Sequence, residues 1–381
     1  MLLAVLLLGL VGLALSEVAV RLLFPFNTPE TVRAYSLEYE ASPFTRSRLA
    51  PVNRLVEVDA GKAWGTKAAD AASDRTFHIN ALGFRGPAFS PRKPAGTTRV
   101  VVLGGSSVFD QNVSDTSAVV GSSWPNRAQA ILRTRGLDVE VINAGTPSHS
   151  SADALGRLLT EVWLYAPDIV VLYSGWNDVK NFRATPVTPE SPLIRVIRQL
   201  DASADPYRNY RGRLDRFLAS SQLYVKLRNA YLRSTIATEG EGILPTGTVG
   251  STFGEFGPRQ YEQNLRNFVE IARNMGARPV LTTEATLVLH PDPAVEERIG
   301  DRYQLLDREG LTKAFEETYR LTREVAAAKR VALLDAGAAL NGDAALFADH
   351  VHLTPRGSEV LARLLADFLA PMVVEPSGRT D

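Results

Sequence analysis

Arg99-Val100-Val101-Val102-Leu103-Gly104-Gly105-Ser106-Ser107 decides the fold. Three β-branched valines followed by a leucine make the apolar run of a strand covered on both faces. Two glycines end the run, so the chain turns sharply and brings a serine hydroxyl to the strand's carboxyl end. Far downstream, Asp349-His350-Val351-His352 places an aspartate three residues before a histidine. Serine is a poor nucleophile until a positioned base takes its proton, and that base works best with an acid fixing its tautomer. The two stretches supply these three groups, provided the fold between them brings the ends together.

The pattern around the first strand argues that it does. The sequence predicts further strands at Val139–Asn143, Asp168–Tyr173, Pro279–Thr282 and Val331–Leu334, and a short separate one at Thr76–Asn80. Helices are expected at Ser123–Arg135, Ala152–Tyr165, Tyr261–Met275, Leu311–Lys329 and Gly357–Leu369. Strands alternating with helices form a parallel sheet covered on both faces, and such sheets bind ligands at the carboxyl ends of their strands. We therefore expect an α/β domain over 98–372, interrupted by a helical insertion at 184–258. Its first part is Arg-rich and amphipathic, and its second is rich in Gly, Thr and Pro. Residues 26–97 read as a linker and collar, and 373–381 as a tail.

Composition narrows the chemistry. The chain has 381 residues, 45% hydrophobic and 22% charged, enough to bury a sizeable core. Lys+Arg and Asp+Glu are balanced at 42 each, so net charge points to no nucleic-acid partner. There is no cysteine, which excludes disulfides, thiolate catalysis and iron–sulfur clusters in this chain. Met1–Leu15 is uninterruptedly apolar, with Glu17 and Arg21 following four residues apart. About 20 apolar residues cross a bilayer, so 1–25 is expected to be a transmembrane anchor whose distal charges pair or snorkel. Ala14-Leu15-Ser16 offers the alternative of a cleaved signal peptide and a secreted protein. No Lys or Arg precedes the run, so charge sets no orientation.

Each residue of chemical interest follows a strand. Ser106 follows the first and Gly145 the second, in Asn143-Ala144-Gly145-Thr146. Asn177 follows the third, in Gly175-Trp176-Asn177-Asp178. Asp349 and His352 follow the last strand by a loop. Read singly, each has a plainer explanation. Gly145 is then a turn glycine, Asn177-Asp178 a helix cap, Ser107 the nucleophile in place of Ser106, and His350 with His352 a metal pair lacking a third ligand. The serine turn carries neither G-x-G-x-x-G nor G-x-x-x-x-G-K-[ST], which argues against a phosphate loop. Asp335 reads as a turn or capping residue, His78, His149 and His290 as surface or structural, and Glu284 as a residue that lines the pocket at most.

Taken in order, these motifs resemble the SGNH (GDSL-type) hydrolase family, over roughly residues 97–370. Gly104-Gly105-Ser106 matches the family's Gly-Asp-Ser with glycine in place of the aspartate. Gly145, Gly175-Trp176-Asn177-Asp178 and Asp349-x-x-His352 match its later motifs. Asp110 stands where a small residue is usual. The resemblance implies a three-layer flavodoxin-like domain with sheet order 2-1-3-4-5 and no metal or organic cofactor. It implies Ser106 as nucleophile, His352 as base, Asp349 as orienting acid, and an oxyanion hole from the N–H groups of Ser106 and Gly145 and the amide of Asn177. The expected activity is hydrolysis of carboxylic esters borne by a small molecule, lipid or glycan, outside the cytoplasm at a membrane. Acyl transfer to an envelope glycan and a non-catalytic scaffold on the same fold are the alternatives.

Overall fold

The computed structural model describes residues 2–23, 75–183 apart from 117, 249–299 and 306–374, with short pieces of the stretches between. The chain divides into two compact units. One comprises Met1–Glu40, Val56–Asp74 and Thr188–Thr246, and the other Ala41–Leu55, Arg75–Val187 and Gly247–Asp381.

In the second unit, β1 (Thr98–Gly104), β2 (Val139–Gly145), β3 (Ile169–Tyr173), β4 (Arg278–Thr282) and β5 (Ala332–Leu334) form one sheet. All neighbours are parallel, and the order is β2-β1-β3-β4-β5, the expected 2-1-3-4-5. The register aligns the strand ends. Gly104 lies opposite both Gly145 and Tyr173, and Tyr173 lies opposite Thr282. The chain leaves four strands at nearly one level, so the loops that follow them meet along one edge.

Five helices cover the sheet: α1 (Trp124–Thr134), α2 (Ser151–Thr160), α3 (Phe256–Asn274), α4 (Arg308–Lys329) and α5 (Pro355–Val374). Alternation along β1 shows why both faces must be covered. Val101 and Leu103 pack among residues of α2, α3 and α4 such as Leu158, Phe268 and Phe315. Val100 and Val102 pack with Trp124 and Leu132 of α1 and Leu361 and Leu365 of α5. All four strand residues are completely buried, each stabilising the fold by roughly 1.5–3 kcal/mol over an exposed position.

Two expectations change in detail. The helix expected to reach Tyr165 ends at Thr160, and Val162–Tyr165 continues as a 3-10 turn closed by Ala166 in the left-handed region. Pro167 bars any further helix by lacking an N–H. From Arg75 onward, the stretch read as a linker and collar lies in the second unit. Strand Arg75–Ile79 belongs to the same compact unit, and Arg85 is buried inside it. Most of the expected insertion, 184–212 and 232–248, lies outside the described residues, as do most of 26–74 and the tail from 375. Helix α3 starts at Phe256, within the stretch assigned to the insertion.

The first unit contains a 22-residue helix, Leu2–Leu23, and a short helix, Arg213–Leu218. Glu17 pairs with Arg21 at 2.7 Å and accepts hydrogen bonds from the Ser221 hydroxyl and the Leu223 N–H. The expected transmembrane helix is thereby corrected to a narrower statement. The segment is helical, but among the described residues no helix is long and apolar enough to cross a membrane. Glu17 and Arg21 place two charges in its last two turns.

Candidate active site

Ser106 begins a four-residue helical turn, Ser106–Phe109, directly after β1. The turn is fastened from several sides. Asn143, on β2, donates to the Val108 carbonyl at 2.9 Å, and Trp124 Nε1 donates to the Ser107 carbonyl at 2.8 Å. The guanidinium of Arg85 donates to the carbonyls of Phe109, Asp110 and Val113. A cation at the carboxyl end of a helical turn complements the exposed carbonyl dipoles. Asp110 closes the turn in the left-handed region (φ 64°) and accepts from the Trp124 N–H and the Ser358 hydroxyl. Burial pushes its carboxyl up in spite of Arg85. The unusual residue at 110 thus pins the loop after the serine to α1 and α5.

The late loop delivers its histidine to this turn. His352 Nε2 lies 2.7 Å from Ser106 Oγ, and His352 Nδ1 lies 2.7 Å from Asp349 Oδ2. Asp349 Oδ1 accepts the backbone N–H groups of Val351 (3.0 Å) and His352 (2.8 Å), which fixes the carboxylate relative to the ring it serves. With Nδ1–H donating to the carboxylate, Nε2 is left as the acceptor and the serine hydroxyl donates to it. Burial alone would raise the Asp349 carboxyl. The charge and hydrogen bond of His352, with help from His350 and the Val351 N–H, outweigh it and hold the group well below the usual carboxylate range. Ser106, Asn177, Asp349 and His352 are all partly exposed.

His350 faces inward and takes no place in this chain. Its ring packs against Trp176 with centroids 3.9 Å apart and planes tilted by 37°, and its carbonyl accepts from Leu287 N–H and Thr286 Oγ1. Burial lowers its pKa to about 4, so at neutral pH it packs as an uncharged ring. Among the described residues no cluster of His, Asp and Glu is arranged to hold a metal ion.

Asn177 stands in the short turn Trp176–Val179 after β3. Its Nδ2 donates to the His149 carbonyl at 2.9 Å, and its Oδ1 accepts from Lys180 Nζ at 2.6 Å. The glycine at 105 now has a physical reason. A Cβ on it would lie 2.5 Å from Asn177 Nδ2 and 2.8 Å from the His149 carbonyl oxygen. Glycine lets the amide settle against the backbone just before Ser106, and the aspartate usual in the family does not fit this arrangement.

Gly145 lies at the end of β2, and its N–H donates to Asn143 Oδ1 at 2.9 Å. A Cβ there would lie 2.2 Å from Phe109 N and 2.6 Å from Val108 C. The glycine allows β2 to pass close against the serine turn. The other expectations hold in part. Asp335 caps the short helix Ala336–Leu340 by accepting from Ala338 N–H. His78 Nδ1 meets the Gly86 carbonyl, and the His290 ring accepts from Asp292 N–H, both local structure.

Sequence reasoning underrated Glu284 and passed over Asn143, Arg85 and Lys180. The Glu284 carboxylate, at the end of β4, accepts the Trp176 N–H at 2.6 Å and a hydrogen bond from the Ser107 side chain. It ties the serine turn to the asparagine turn from behind. Burial pushes its carboxyl up to about 7, against the lowering effect of those two donors. Asp178 similarly binds the β3 turn to α2 through Ser151, and burial raises it to about 6. Asn143 did leave a signal: an amide in a buried strand is costly unless fully bonded, so it marks a fastening point.

The GDSL-like Lipase/Acylhydrolase family model matches residues 102–360. The chain is similar to the solved lipase/acylhydrolase from Enterococcus faecalis at 18% identity, covering 73% of this chain and 98% of that one, with a TM-score of 0.42. An acetyl xylan esterase from Geobacillus stearothermophilus matches at 15% identity over 74% of this chain and 97% of its own, with a TM-score of 0.42. TesA matches at 20% identity over 72% and 99%, with a TM-score of 0.41. No curated protein matches the chain.

Proposed function

The chain belongs to the GDSL-like lipase/acylhydrolase family and is an ester hydrolase, and from that premise we propose that it works as a serine esterase through an acyl-enzyme. The observation that carries this reading is the continuous Ser106–His352–Asp349 hydrogen-bond chain, 2.7 Å at each link. Ser106 Oγ attacks the acyl carbonyl while His352 Nε2 takes its proton. The imidazolium is stabilised by Asp349 and then gives the proton to the departing alcohol. Water, activated by the same ring, next attacks the acyl-serine and releases the acid with Ser106 restored. The developing oxyanion is met by the Ser106 N–H and the Asn177 amide. Purified protein is expected to hydrolyse p-nitrophenyl acetate, and Ser106→Ala to reduce kcat to the background rate with the fold intact. Equal rates in the two proteins would refute the assignment.

We also propose that the N-terminal segment tethers the hydrolase at a membrane, with its site outside the cytoplasm and acting on esters of envelope glycans or lipids. The support is the apolar run Met1–Leu15. Release of the protein by alkaline carbonate, or protection of the folded domain from added protease in intact cells, would count against it.

A further inference from the structure

An asparagine can stabilise an oxyanion only through its nitrogen, because the amide oxygen would repel the developing charge. Which end faces the serine is a matter of partners, since the two ends are alike in shape. Here the partners leave one solution. The Lys180 ammonium can only donate and lies 2.6 Å from Oδ1, while the His149 carbonyl can only accept and lies 2.9 Å from Nδ2. Reversing the amide would set a donor against a donor and an acceptor against an acceptor. Nδ2 also lies against Gly105, on the serine side.

We propose that Lys180 is a positioning residue for ester hydrolysis, holding and polarising the Asn177 amide so that its nitrogen faces the reacting carbonyl. The proposal rests on the reading of Asn177 as an oxyanion donor. A charged donor on Oδ1 draws electron density from the amide and strengthens the N–H groups opposite, as hydrogen bonds in series reinforce one another. The neighbouring His350 is held uncharged by burial, with Lys180 contributing to the lowering of its pKa. Lys180 is partly exposed at the end of the Trp176–Val179 turn.

The test is kcat and KM on p-nitrophenyl acetate for wild type, Lys180→Met, Lys180→Arg, Asn177→Ala and the Lys180→Met/Asn177→Ala double variant. Thermal melting checks each fold, and Lys180→Gln serves if the methionine variant is unstable. Lys180→Met is expected to lower kcat about tenfold with KM little changed, and Lys180→Arg to recover most of it. In the Asn177→Ala background the same lysine change should alter kcat by less than about twofold, because the group it acts through is gone. A Lys180→Met kcat within about twofold of wild type, or an undiminished loss in the Asn177→Ala background, overturns the proposal. Full activity in Asn177→Ala alone instead overturns the reading of Asn177, and the inference with it.

Discussion

Gly105→Ala adds a single carbon at the place where this chain departs from the family pattern, and its effect follows from two distances. The new Cβ would lie 2.5 Å from Asn177 Nδ2 and 2.8 Å from the His149 carbonyl oxygen. To regain van der Waals separation the amide must retreat by roughly 1 Å. The carbonyl belongs to backbone and yields less, so the retreat falls on Asn177, which is held by Lys180 at 2.6 Å. A misplacement of about 1 Å in a group serving the transition state costs on the order of 100-fold in rate. Overpacking adds about 1–3 kcal/mol of destabilisation. We therefore expect kcat for p-nitrophenyl acetate to fall about 100-fold with KM changed far less, and the thermal midpoint to drop by a few degrees. Gly105→Asp, which restores the family's usual residue, should be at least as damaging. A Gly105→Ala variant with wild-type kcat would refute the reasoning, because it would mean that Asn177 need not sit where the structure places it.

Two further outcomes test the electrostatics. Asp349→Asn keeps an oxygen to accept the Val351 and His352 N–H groups but lets the wrong tautomer of His352 form, so kcat should fall by about 10⁴ with melting little changed; steady-state kinetics and calorimetry check this. The raised pKa of Glu284 has a definite sign: the neutral acid is favoured in the fold, so its contribution to stability is present below the ordinary carboxylate pKa and is lost as pH rises through about 7. The loss is bounded at roughly 3 kcal/mol, and Glu284→Gln should flatten the decline in thermal midpoint between pH 5 and pH 8. An unchanged slope would show that Glu284 does not titrate as described.

The sheet was legible in the sequence because its signals are local and redundant. The valine run of β1, the β-branched segments of β2 and β3, and the glycines at their ends state strand, direction and turn together. Ser106, Asn177, Asp349 and His352 were legible for a related reason: each follows a strand, and a parallel sheet collects such positions at one edge. The hydrogen bond from the Gly145 N–H to Asn143 Oδ1, two residues earlier, is a contact that no spacing reveals. Glu284 was underrated because it acts across elements, reaching Trp176 from 108 positions away, and Lys180 was missed because its value depends on which end of a neighbouring amide faces it. Arg85 lay in a stretch read as a collar, where a buried guanidinium is not expected. The short strand at Arg75–Ile79 was legible, but its place in the same compact unit as the sheet was not, because that rests on contacts far apart in sequence.

The account stands on Ser106 becoming acylated, and trapping that intermediate tests it most directly. Protein exposed to a fluorophosphonate, or quenched in acid during turnover of p-nitrophenyl acetate, is digested and the modified peptide sequenced by mass spectrometry. The account predicts one adduct, on Ser106, absent from Ser106→Ala and strongly reduced in a His352→Ala variant. An adduct on Ser107, or ester turnover at the wild-type rate with Ser106 unmodified, would contradict it.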